Sequence, residues 1–137
     1  MAENGSNIAN LIKAGKMNLD ELKATLGESA ASSLVSITDW GVCYSSGTGQ
    51  LSEYATVTSN NSGNPIIGIG MIAYTSDGSS MLAVQYTNDI SSPSVATSIG
   101  TTLYTPQMGN EILCVIYGWT VNGNFYQSQT IATVPCS

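Results

Sequence analysis

The chain has 137 residues, of which only 9% are charged, and a net charge of -6. That length suffices for one hydrophobic core, so a single domain over residues 1–137 is expected. The three cations Lys13, Lys16 and Lys23 all lie near the start and there is no Arg, so the acidic remainder argues against nucleic-acid partners.

Residues 1–11 have neither a basic start nor an apolar run, and no stretch approaches the ~20 apolar residues that cross a bilayer. The expectation is a soluble chain, cytoplasmic or secreted without an evident signal peptide. Cys43, Cys114 and Cys136 allow three alternative single pairings and are read as buried free thiols. With no histidine and no Cys-x-x-Cys spacing, neither a metal site nor a cofactor is expected.

In chain order, Ile8, Leu11 and Ile12 recur at helical spacing, and Gly15 interrupts them. Asn18 then stands as N-cap with Glu21 at the capping-box position and Met17 facing Leu22 as a staple. Leu19, Leu22 and Leu26 form one apolar stripe, Gly27 is the expected stop, and the helical region spans about residues 7–30. From Leu34 the period becomes that of strands: 34–37 runs into 40–44, a turn covers 45–50, and 54–58 is the partner. Residues 66–74 and 81–86 are too apolar to face water on either side and flank the turn Ser76-Asp77-Gly78-Ser79, a buried hairpin. Gly68 and Gly70, two apart, leave a flat strip for another backbone or a large side chain.

Residues 88–98 are Ser-rich around Pro93 and read as a long surface loop; 99–105 read as a short strand. Asn122-Gly123 joins 111–121 to 124–134 as a second hairpin. The expected fold is mainly β, a sandwich of antiparallel strands with an amphipathic N-terminal helix packed on it.

Residues Ile69-Gly70-Met71-Ile72-Ala73-Tyr74, Ser76-Asp77-Gly78 and Leu82-Ala83-Val84 resemble the central segment of the actinoporins, pore-forming cytolysins. Lys16-Met17-Asn18-Leu19-Asp20-Glu21-Leu22-Lys23 resembles that family's N-terminal helix. The resemblance implies a membrane-binding toxin that recognises a lipid head group through Tyr86, Thr87 and Tyr104. It also implies insertion of a helix carrying Leu19, Leu22 and Leu26, and homo-oligomers on the membrane. Residues 88–98 lack the family's aromatic cluster, which keeps open a non-lytic lectin-like module with a glycan ligand, or a self-assembling structural protein. No catalytic residue is assigned. Without histidine, a Ser or Cys nucleophile has no evident base, and nothing in the spacing of Asp39, Glu53, Asp77, Asp89 and Glu111 selects a catalytic pair, so the protein is not expected to be an enzyme.

Overall fold

The computed structural model describes residues 5–26, 34–45, 47–101 and 111–136. Two short helices, α1 (Gly5–Lys13) and α2 (Leu19–Leu26), come first. Eight strands follow: β1 (Val35–Ser45), β2 (Gln50–Ser59), β3 (Ile66–Thr75), β4 (Met81–Thr87), β5 (Ser94–Thr101), β6 (Glu111–Thr120), β7 (Gly123–Ala132) and β8 (Val134–Pro135). The protein is mainly β, with two sheets ordered β5-β2-β1-β8 and β4-β3-β6-β7. All pairings are antiparallel except the short parallel one between β1 and β8.

The stop of α1 and the start of α2 form as their sequences dictate. Gly15 adopts φ 71°, and the Lys16 and Gly15 amides donate to the Leu11 and Ile12 carbonyls at 2.8 and 3.0 Å, a Schellman stop for α1. Asn18 Oδ1 accepts from the Glu21 amide at 2.9 Å while Glu21 Oε1 accepts from the Asn18 amide at 3.4 Å, the reciprocal capping box of α2. The expected continuation of the helical region to residue 30 lies outside the described residues, as does Tyr104.

The hairpin of β3 and β4 turns at Gly78, whose φ of 75° suits a residue without Cβ. Asp77 Oδ1 secures the bend by accepting from Thr75 Oγ1 at 2.8 Å and from the Ser79 amide at 3.0 Å. Alternation then separates the faces of the second sheet. Ile69, Met71, Ile112, Ile116 and Phe125 share one apolar cluster with Val35, Val42, Leu51 and Val57 of the first sheet. On its other side, Ile72, Tyr74, Val115, Tyr117 and Tyr126 share a second cluster with Ile8, Ile12, Leu22 and Leu26. Two buried faces explain why β3 and β6 read as continuous apolar runs. Each fully enclosed Leu or Ile in these clusters contributes roughly 1.5–3 kcal/mol by leaving water.

Three loops are tied together, two of them by one buried side-chain amide. Asn64, 4% exposed, donates from Nδ2 to Thr120 Oγ1 at 3.0 Å and accepts at Oδ1 from the Asn122 amide at 2.9 Å. The Ser59 amide donates to the Pro93 carbonyl at 2.8 Å, bringing the third loop in.

Two expectations are corrected. The stretch read as a loop over 88–98 becomes strand from Ser94, with Val95, Thr97 and Ile99 less exposed than Ser94, Ala96 and Ser98. Its alternation outweighs its serine content because β2 supplies a complete register from Thr58↔Ser94 to Leu51↔Thr101. Cys43 and Cys136 are not free thiols but a disulfide between residues 93 apart in sequence, which holds the chain end beside β1. Cys114 is free and buried.

Candidate functional site

β1 is a single strand broken by a bulge. Thr38 pairs with Thr56 and Gly41 with Tyr54, so Asp39 and Trp40 together oppose Ala55 alone. Asp39 takes φ 54°, left-handed backbone that costs a side-chain-bearing residue about 1–2 kcal/mol, least for Asp and Asn. Such a conformation persists where the surroundings hold it, and it often marks a functional position.

On the outer side of the bulge lies a cleft of about 250 Å³ lined by Asp39, Tyr54, Thr56, Ala96 and Ser98. Tyr54 is 41% exposed. A Cβ at Gly41 would fall 2.5 Å from Tyr54 Oη, so the ring lies along β1 next to the bulge because residue 41 has no side chain. Hydroxyls extend the same face in register, with Ser36 and Ser94 flanking Thr58. Thr58 Oγ1 and Ser94 Oγ are hydrogen bonded at 3.0 Å. No lysine of the chain lies beyond residue 23, so the Asp39 carboxylate has no cation on its own sheet.

On the inner side the same bulge delivers Trp40, whose Nε1 donates to Glu53 Oε2 at 3.3 Å. Glu53 is fully buried and its Oε1 has no hydrogen-bond partner among the described residues. Burial pushes its carboxyl up to about 8 from the ordinary 4.5; the Trp40 indole, and after it the Cys114 thiol, pull weakly the other way. Burial, and then the neighbouring Glu53, push the Cys114 thiol above its usual range, which makes that sulfur a poor nucleophile. At neutral pH Glu53 is therefore mostly a neutral acid.

Among the residues singled out from the sequence, Tyr86 is half-buried and stacks on Tyr117 with centroids 5.8 Å apart, edge-on to Trp119 at 6.0 Å. The glycine strip is filled by these rings: a Cβ at Gly68 would collide with Tyr86 Oη, and one at Gly70 with the Tyr117 ring. Burial, then Asp89, raise the Tyr86 hydroxyl to about 12; burial, then Tyr126, raise Tyr74 to about 12. Thr87 is exposed at the end of β4, opposite Ile69. Leu22 and Leu26 are buried and Leu19 is partly so; Asn124 Nδ2 donates to the Leu26 carbonyl. Tyr86 and Thr87 are not among the residues lining the Asp39 cleft.

No protein-family model and no curated protein matches the sequence. Among solved structures, the chain is similar to a superoxide reductase (neelaredoxin) from Ignicoccus hospitalis at 11% identity and TM-score 0.44, over 85% of this chain and 94% of that one. A variant of that enzyme gives 12% identity and TM-score 0.43, over 85% and 92% of the two chains. These neighbours are enzymes, neither actinoporins nor lectins. The expectations of an actinoporin-like cytolysin, a pore-forming toxin, a lectin-like module, a structural protein and a chain that is not an enzyme stand corrected only in that the solved structures found are superoxide reductases, and no activity of this chain follows from them. At that likeness no reaction, metal or substrate is carried over. The helix expected to insert in membranes has eight residues, about 12 Å at 1.5 Å per residue. No described helix is long and apolar enough to cross a bilayer.

Proposed function

We propose that this protein recognises a protonated nitrogen group, guanidinium or alkylammonium, in the cleft between Asp39 and Tyr54. The reading takes the two sheets as an immunoglobulin-like sandwich, with β1, β2 and β5 in one layer, β3, β4, β6 and β7 in the other, and the helices docked on the second layer. In that arrangement the outer face of the first sheet is the one left for a ligand. The observation that carries the reading is Asp39 itself, a carboxylate held in left-handed backbone at the mouth of a cleft beside an exposed aromatic ring. A carboxylate offers a charge-assisted hydrogen bond, and a tyrosine face attracts a cation through its quadrupole. An acidic surface draws cations toward both.

The test is titration of the isotope-labelled protein with n-propylguanidinium, followed by amide chemical shifts, with the isosteric neutral n-propylurea as control. The expected affinity is about 1 mM, appropriate to so small a ligand. Asp39→Asn keeps a residue that tolerates the left-handed conformation while removing the charge, and should weaken binding about tenfold or more. Acetyl-Gly-Arg-Gly-amide tests whether the group is read as part of a peptide. Equal binding of n-propylurea, or full affinity in Asp39→Asn, refutes the reading.

A further inference from the structure

The bulge that aims Asp39 outward is fastened from the inside by a different carboxyl. We propose that Glu53 is the positioning residue of the Asp39 cleft and couples cation binding there to a single buried proton, so that affinity falls in alkaline solution. This rests on the cation-recognition reading above.

Trp40 directly follows Asp39, so the direction of its indole constrains the peptide plane joining the two, and with it the aim of the Asp39 carboxylate. That direction is set by the 3.3 Å hydrogen bond from Trp40 Nε1 to Glu53 Oε2. Glu53 is enclosed by β1, β5 and β6. From β1 come Trp40 and the register partner Val42, from β5 the register partner Ile99, and from β6 the Cys114 thiol. None of these supplies a positive charge, and every lysine of the chain lies within residues 13–23.

While Glu53 holds its proton, the enclosure is neutral. When the proton leaves, a fully buried carboxylate with one unpartnered oxygen faces a single indole N–H and a thiol. One such donor does not replace the lost hydration of a charge, so the carboxylate must admit water or swing toward solvent. Either movement alters the Trp40 bond and frees the bulge. The carboxyl pushed up to about 8 puts this change at mildly alkaline pH.

The experiment measures n-propylguanidinium affinity at about pH 6 and about pH 9, where this probe stays cationic. Wild type should lose about tenfold affinity across the interval, within the usual range of coupling between sites. Glu53→Gln, which keeps an acceptor for Trp40 but has no proton to lose, should bind like wild type at pH 6 and show no fall at pH 9. Glu53→Leu should bind weakly at both. In a Trp119→Phe background, Trp40 fluorescence should titrate in wild type and stay flat with Glu53→Gln; this readout stands even where Glu53→Leu fails to fold. Binding that is equal in wild type and Glu53→Gln at both pH values, with flat Trp40 fluorescence, overturns the role of Glu53 and leaves the cation site standing. No binding by wild type at pH 6 overturns both.

Discussion

Glu53→Gln should stabilise the fold, and by an amount that grows with pH. The buried carboxyl sits near 8 in the folded protein against 4.5 ordinarily, so the fold prefers the neutral acid and the unfolded chain the carboxylate. Below pH 4.5 both states hold the proton and nothing is lost. As pH rises from there, the unfolded chain binds fewer protons than the folded one, and stability declines until the folded group also ionises near 8. At about 1.4 kcal/mol per pH unit, the loss reaches about 3 kcal/mol at pH 7 and levels off near 5 kcal/mol beyond pH 8. That is a large share of the roughly 5–15 kcal/mol that holds a domain folded. Glutamine removes the titration, while any penalty from its own buried amide does not vary with pH. The difference between variant and wild type is therefore the quantity to follow. Urea unfolding monitored by circular dichroism at about pH 4, 5.5, 7 and 9 supplies it. Asp77, held down to about 2 by its hydrogen bonds to Ser79 and Thr75, and Tyr74 and Tyr86 near 12 titrate outside this window. A difference that stays constant from pH 4 to 9 refutes the reasoning.

Tyr117→Phe should raise stability by about 1 kcal/mol in the same unfolding assay, because the Tyr117 hydroxyl is buried without a partner among the described residues and its removal ends a desolvation cost. Replacing both Cys43 and Cys136 by Ser opens a loop of 93 residues and should cost up to about 4–5 kcal/mol by the chain-entropy argument, read as a lower urea midpoint than the oxidised wild type. Asn64→Ala removes one buried and one partly buried hydrogen bond that join separate loops, with an expected loss of about 2–3 kcal/mol and faster amide exchange at Asn122. Asn18→Ala should cost only about 1 kcal/mol, measurable as earlier exchange in α2.

The site is partly legible in the sequence. Leu51, Glu53, Ala55 and Val57 alternate with Ser52, Tyr54 and Thr56, which places Glu53 on the apolar face of a strand; a carboxylate there is a signal in its own right. Asp39-Trp40-Gly41 inside a strand pattern likewise hints at a bulge. Neither signal shows that β6 closes over Glu53, because Cys114 lies 61 residues beyond it and no local period connects them. The motifs that suggested a cytolysin were a capped helix and a tight hairpin, Lys16 to Lys23 and Ser76 to Gly78. Their geometry is as expected, but such motifs solve local backbone problems and carry no chemistry of their own.

What the amino-acid order settles alone is whatever neighbouring residues decide between themselves. The stop at Gly15, the cap at Asn18, the bend at Gly78 and the alternation along β2 are of this kind, whereas the second hairpin, expected to turn at Asn122-Gly123, bends one residue earlier at Val121-Asn122 because Gly123 already pairs with Thr120. Tertiary structure decided the pairing of Cys43 with Cys136, the recruitment of Ser94–Thr101 as a strand, and the setting of Trp40 on Glu53 beneath an outward Asp39. Those outcomes depend on burial and on hydrogen-bond partners supplied by distant segments, which the chain acquires only when its two sheets form.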